Sequence, residues 1–324
     1  MQFNGLNPGL LNGSKEALGL SQDPEGIAIA RNGNYDVSDE YGPSVREFRR
    51  DGTLLRTFTP PENLIPKQTG GTVNYVDGRP TMVNGRQDNR GFEGLAISPD
   101  GTKLYAMLQD PLVNEGSSSD GRRSRNLRMV EFDVATGTQT RQLTYQLESI
   151  ADINVGSKRV YLIDITGASD VKAISFANTN DLPAGVVAVS KTLYLDIQAA
   201  LVANGVIIPE KIEGLAIGPQ LDDGSYLMLI GSDNDFSVTQ TGAGVQFNVC
   251  RDGVYNGVAN DTVAIGDDCP AGLSLVPNYL YAFRADFARD GITYEVQQRI
   301  PEPATTSLLS LAALAMLSIW RRRH

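Results

Sequence analysis

The chain has 324 residues, 41% of them apolar and 20% charged, a balance that belongs to a folded globular protein and not to a disordered one. A formal net charge of −10 excludes a nucleic-acid partner, which needs clustered Lys and Arg, and suits a divalent cation instead. The only histidine is His324, so Ser-His-Asp and Cys-His catalysis and imidazole-bound metals are excluded from the main body of the chain.

Residues 1–20 lack the basic start and apolar core of a secretion signal, which reads as a chain shortened at its start. From there, short β-type runs alternate with Gly, Asp, Asn and Pro turns. Strands are predicted at 26–30, 35–39, 45–49 and 54–58, with a hairpin turn at Arg50-Asp51-Gly52. A second set follows at 95–98, 104–108, 129–133 and 140–147, its first pair joined by Pro99-Asp100-Gly101. Further strands are predicted at 160–165, 191–196, 215–217, 226–231, 279–284 and 293–299. A single short helix is expected at 196–203, and long loops at 60–87, 114–126 and 237–277. So many strands with almost no helix indicate an all-β sandwich, barrel or propeller.

Three Glu-Gly pairs decide among these, each opening an apolar run: Glu25-Gly26, Glu93-Gly94 and Glu213-Gly214. They read as the start of the inner strand in three blades of a β-propeller, where they would converge at one end of the central channel. Carboxylates facing one cavity repel and are pushed toward protonation unless a cation sits among them. Calcium, which takes several oxygens in an adaptable shell, is the natural occupant. Asp233 and Asp235, flanking Asn234 after the predicted strand 226–231, add oxygen donors, although the spacing is not that of an EF-hand. Glu25, Glu93 and Glu213 are thus candidates for metal ligation or direct acid–base work. The competing reading makes each Glu-Gly a turn whose carboxylate caps backbone N–H groups. Arg90 and Arg125 are candidates for binding an anionic substrate. Cys250 and Cys269 enclose a loop rich in Gly, Asn and Asp and are expected to form a disulfide.

The chain ends in Pro301-Glu302-Pro303, an uncharged span at 304–320, and Arg321-Arg322-Arg323. As a helix that span reaches about 25 Å, enough for a thin bilayer, with the arginines on the cytoplasmic side. The tail closely resembles the PEP-CTERM sorting signal of exported bacterial proteins. That resemblance implies an exosortase-type processing protease as partner, transient membrane insertion, and export to the cell envelope or beyond. The division is then a β-propeller domain at 1–299 and a sorting signal at 300–324.

The stretches DPEGIAIARNGNYDVSDEYGPSVREFRRDG, NRGFEGLAISPDGTKLYAMLQDPL, YLIDITGASDV, KIEGLAI and GSDNDF, in that order, resemble the phytase-like esterase domain family. The resemblance implies a propeller-like fold and hydrolysis of phosphate or other esters with calcium. It carries over to Glu25, Asp39, Glu40, Arg90, Glu93, Gln109, Asp164, Asp170, Glu213, Asp233, Asn234 and Asp235. The chain departs from the family by beginning almost at its first Glu-Gly and by lacking an acidic strand end before residue 160. The leading reading is an exported calcium-assisted hydrolase of a small anionic ester. The alternatives are a non-catalytic propeller of an extracellular matrix, contacting a ligand or polysaccharide, and a lactonase of the gluconolactonase type.

Overall fold

The computed structural model describes residues 21–75, 81–117, 124–148, 158–209, 211–234, 237–241, 245–251 and 261–297. The sorting motif, the apolar span at 304–320 and Asp235 lie outside these residues. Among the described residues, no helix is long and apolar enough to cross a membrane.

The fold is almost entirely antiparallel β. A first meander comprises β1 (Pro24–Ile29), β2 (Tyr35–Asp39), β3 (Ser44–Phe48) and β4 (Leu54–Thr57). Next, β5 (Lys67–Gln68) and β6 (Met82–Asn84) pair as a small ribbon. A second meander follows: β7 (Phe92–Ile97), β8 (Lys103–Leu108), β9 (Asn126–Asp133) and β10 (Thr138–Gln146). A third sheet pairs β11 (Arg159–Asp164) with β12 (Ser190–Asp196), which runs into helix α1 (Ile197–Ala203). The fourth pairs β13 (Gly214–Gln220) with β14 (Tyr226–Gly231), and β14 with β19 (Leu280–Ala285). Between the last two strands sits a further small sheet of β15 (Val238–Thr241), β16 (Val245–Arg251), β17 (Asp261–Ala264) and β18 (Ser274–Leu275).

The four main sheets pack face to face in chain order. Ala28 and Val45 of the first meet Phe92, Leu104 and Phe132 of the second. Met129 and Leu143 of the second meet Val189 and Ile163 beside the third. Val160 and Leu195 of the third, with Ile197 and Leu201 of α1, meet Met228 and Ile230 of the fourth. Strand β9 is buried at Asn126 through Phe132 because a neighbouring sheet covers each of its faces, whereas β8 alternates. A cation with its counter-ion lies within this packing. Arg128 and Glu115, each 1% exposed, form an ion pair that Gln142 and the Val171 and Ile174 carbonyls complete.

Local chemistry accounts for the predicted turns. Gly101 takes φ +69° and donates to the Ser98 carbonyl at 2.8 Å, while the Asp100 carboxylate accepts from the Thr102 N–H at 3.0 Å. Helix α1 starts where expected because Asp196 caps it, accepting from the Ala199 N–H at 2.8 Å. Cys250 and Cys269 are bonded, with Cα atoms 5.7 Å apart.

Three expectations need correction. The loop expected at 60–87 holds the ribbon of β5 and β6, two strands too short to show an alternation. The loop expected at 237–277 contains the four short strands β15–β18, whose alternation is too brief and too polar to stand out. Conversely, 293–297 is not a strand. It finds no ladder partner and is held by rings instead: Tyr294 packs on Phe287 at 4.8 Å and on Tyr226 at 4.7 Å between centroids.

Candidate functional site

The hairpins bring acids together from distant parts of the chain. Glu25 lies at the start of β1, Glu93 at the start of β7, and Glu213 immediately precedes β13. Antiparallel pairing then brings a polar residue just past the second strand of each hairpin to the same end as its glutamate. Pro24 opposes Asp39, so Glu40 comes to Asp23, its N–H bonded to the Asp23 carbonyl at 2.9 Å. Phe92 opposes Leu108, so Gln109 reaches Glu93 and donates its side-chain amide to that carboxylate. Gly214 opposes Gly231, so Asp233 arrives beside Lys211 and Glu213. Together these groups, with Asn89, line a cavity of about 480 Å³.

The first two hairpins touch through the glycines. The Gly26 N–H donates to Ser38 Oγ at 2.8 Å, and a β-carbon at Gly26 would stand 2.8 Å from the Glu93 carbonyl oxygen. The Gly91 N–H donates to the Glu40 carbonyl at 2.8 Å. Behind Glu40, the buried guanidinium of Arg86 donates to the carbonyls of Tyr41, Tyr75 and Gln87 at 2.8–3.1 Å. Asp39 is locked by Arg46 at 2.7 Å and by the Asp23 and Tyr41 N–H groups.

The carboxyl atoms of Glu25, Glu93 and Glu213 lie within 4.8 Å of one another, and so do those of Asp23, Glu25 and Glu40. Such crowding favours the neutral forms. Burial, then the charges of Glu93, Asp23 and Glu213, push Glu25 up to about 8. Burial, then Glu93, Asp23 and Glu25, push Glu40 up to about 8, against the pull of Arg90. Burial and Asp39 raise Asp23, while burial and Glu213 raise Glu93 despite hydrogen bonds from Glu25 and Gln109. The Tyr41 hydroxyl bonds to Asp23 and is held protonated, pushed up to about 12 by burial and that carboxylate.

Of the residues singled out in the sequence, Glu25, Glu40, Glu93, Gln109, Glu213 and Asp233 meet at this cavity. Arg90 stands one layer back, donating to Gln109 at 2.6 Å and paired with Asp110 at 3.0 Å. Arg125 is not among the lining residues; it donates to the Leu147 carbonyl at 2.9 Å. Asp164 and Asp170 are likewise elsewhere, binding the Thr166 and Gln142 N–H groups. Asp23, Tyr41, Asn89 and Lys211 were not anticipated. Asp23 and Lys211 each stand two residues before a motif glutamate, and the period-2 alternation of a strand would have found them.

A family model described as "Phytase-like: Esterase-like activity of phytase" matches residues 9–158 and 154–236, well over half of the chain. The chain belongs to this phytase-like family. An "Uncharacterized secreted protein" of Arthroderma benhamiae is 38% identical over 131 residues. That match covers 37% of this chain and spans only a quarter (25%) of the relative's length. Among solved structures, a Bacteroides uniformis chain assigned as a 6-phosphogluconolactonase aligns at TM-score 0.28 and 10% identity. The alignment covers 87% of this chain and 62% of that one. Kuenenia stuttgartiensis hydrazine synthase aligns at TM-score 0.23 and 15% identity, covering 65% of each chain. Likenesses this low carry no argument about the phytase-like chain, whose function has to be read from its own site.

Proposed function

We propose that this phytase-like protein is an exported hydrolase of small anionic esters that works with a calcium ion at the acidic end of a β-propeller channel. The observation that carries the reading is the convergence of Glu25, Glu93 and Glu213, from three separate hairpins, within 4.8 Å of one another. Oxygens in a calcium shell sit about 2.3–2.6 Å from the ion, so a set no wider than roughly twice that radius fits it. The donor chemistry fits as well: the cavity offers carboxylates, with side-chain amides at Asn89 and Gln109, and neither thiol nor imidazole. Glu25, Glu93 and Glu213 would hold the ion, with Asp23, Glu40 and Asp233 beside it. A cation there would polarise an ester oxygen and make a water nucleophilic near neutral pH.

The protein's own groups supply the rest. Glu40, a buried carboxyl lining the same cavity, stands where a proton would have to pass. Lys211, the cation among the lining residues, lies 3.9 Å from Asp233 and can turn to a substrate anion. Arg90 fixes Gln109, and Gln109 in turn orients Glu93. The four face-packed sheets, three of which have a strand that opens at the acids, support the propeller reading. The secreted character of the fungal relative and the PEP-CTERM-like tail support export, with processing by an exosortase-type protease.

The test is thermal unfolding of the chelator-stripped chain followed by calcium titration. A ligand specific for the folded state adds about 2.7 kcal/mol at a hundredfold excess over its Kd. A saturable rise that disappears in Glu93→Gln, together with calcium-dependent ester turnover, is expected. No response to calcium at millimolar concentration would overturn the mechanism and leave the acids as turn-forming groups of a binding propeller.

A further inference from the structure

Asp233 lies two residues beyond β14, where the chain leaves the fourth sheet for the excursion that carries β15–β18 and returns at β19. The residues around it are tied to the far end of that excursion. The Ser232 N–H donates to the Tyr279 carbonyl at 2.9 Å, and the Tyr279 N–H donates to Ser232 Oγ at 2.8 Å. The Asn234 side-chain amide donates to the Val276 carbonyl at 2.6 Å. Ser237, 3% exposed, makes the junction. Its N–H donates to the Asn234 carbonyl at 2.6 Å, while its hydroxyl donates to the Val249 carbonyl at 2.7 Å and accepts from the Val276 N–H at 2.8 Å. Val249 and Val276 adjoin Cys250 and Leu275, which face each other where β16 meets β18. That contact consists of Cys250 with Leu275 and Arg251 with Ser274, too little ladder to persist alone. The Cys250–Cys269 bond, closing 19 residues of chain, keeps β18 within reach of β16.

We propose that the disulfide-closed excursion positions Asp233, so that the acid cavity takes its cation-holding form only when Cys250 and Cys269 are oxidised. Asn234 and Ser237 are the positioning residues. This rests on the hydrolase reading above for its cation and adds the regulation of that site. Reduction by a dithiol moves two electrons and two protons to the cysteines, leaving two thiols on this chain and a disulfide on the dithiol. The contact of β16 with β18 then loses its tether, and Val249 and Val276 no longer hold Ser237 and Asn234 in place. Asp233, with Lys211 3.9 Å away, is released from the cavity, whereas Glu25, Glu40 and Glu93 are carried by the first two hairpins and stay. Disulfides form in oxidising compartments, so a chain still in a reducing one would not carry the finished cavity.

Hydrogen exchange on the full chain in chelator tests the positioning without metal or substrate, comparing the oxidised chain with one reduced by dithiothreitol and capped with iodoacetamide. The amides of Ser232, Ser237, Val276 and Tyr279 are expected to lose protection on reduction, while those of β7, β8 and β9 keep theirs. Unchanged exchange at the four amides overturns the proposal. So does an equal loss in β7–β9, which would make the bond a prop of the whole fold. Calorimetric calcium titration is the second arm. Reduction is expected to weaken calcium binding roughly 10–100-fold, the usual effect of removing the groups that orient a ligand. Asn234→Ala and Ser237→Ala should weaken the oxidised chain in the same way, and parent affinity in both overturns the proposal. Asp233→Asn should weaken the oxidised chain, with reduction adding nothing further. A full reduction penalty in Asp233→Asn overturns it too, because the disulfide would then act through another group. If the oxidised parent takes up no calcium, the hydrolase reading fails, and the exchange arm alone decides the positioning.

Discussion

Gly26, Gly94 and Gly214 look equivalent in the sequence, yet the structure gives them different work, and alanine at each separates them. At Gly26 a β-carbon would lie 2.7 Å from Leu95 Cβ, 2.7 Å from Ser38 Oγ and 2.8 Å from the Glu93 carbonyl oxygen. Carbon–carbon contacts are comfortable at about 3.5–4.0 Å, so β1 would have to back away from β7 by most of an ångström. Overpacking of this kind costs about 1–3 kcal/mol. The strand preference of alanine over glycine returns roughly 0.5–1 kcal/mol. The net loss is about 1–2 kcal/mol, or a Tm lower by roughly 1.5–3 °C for a chain of this size. At Gly94 the nearest atom is Met107 Cβ at 3.8 Å, and at Gly214 it is Gly231 at 3.6 Å. These are ordinary contacts, and neither glycine has a positive φ, so both alanines should be neutral or raise Tm by a degree or two. Thermal unfolding in chelator reads all three. Repeating the melts with calcium adds a second test, because moving β1 separates Glu25 from Glu93 and should shrink the calcium shift in Gly26→Ala alone. A Gly26→Ala protein that melts at or above the parent, with Gly94→Ala falling, would refute this account of the interface.

Other consequences can be measured directly. The folded-state pKa values of Glu25 and Glu40 are raised, so the folded chain binds protons that the unfolded chain has released. Their stabilisation is complete below about pH 4.5 and is lost as pH rises toward 8; in chelator the urea midpoint should therefore fall between pH 5 and pH 8.5, and calcium should reduce that fall. A midpoint that rises over this range would contradict the crowding of the acids. Arg128→Met strands the buried Glu115 carboxylate and should cost about 3–5 kcal/mol in denaturant unfolding. The double change Arg128→Met with Glu115→Leu should recover most of that loss, and no recovery would mean that Arg128 acts through packing alone.

What could be read from the chain was what local chemistry determines. Asp100 and Gly101 make their turn whatever surrounds them, and Asp196 caps its helix for reasons contained in the next three residues. The convergence of Glu25, Glu93 and Glu213 was legible because one motif, used three times, implies one environment. Glu40 and Gln109 were reachable through family likeness, but their partners depend on register: Pro24 must oppose Asp39, and Phe92 must oppose Leu108, before either meets a glutamate. Arg125 misled because a charge in a sequence carries no direction, and the Leu147 carbonyl takes it elsewhere. The segment at 293–297 alternates like a strand, yet its conformation follows the ring cluster around Phe287.

Arg86 has a consequence for how the site end comes apart. Its guanidinium joins the excursion that holds Tyr75 and Gln87 to the turn that carries Tyr41, and no solvent reaches it to replace those carbonyls. Lifting the excursion away would leave a buried cation without acceptors, so the ribbon of β5 and β6 and the Glu40 turn open together or not at all. The acid end of the cavity and a loop whose described residues do not line it thereby form one cooperative unit, and its fraying sets how often the acid end is lost.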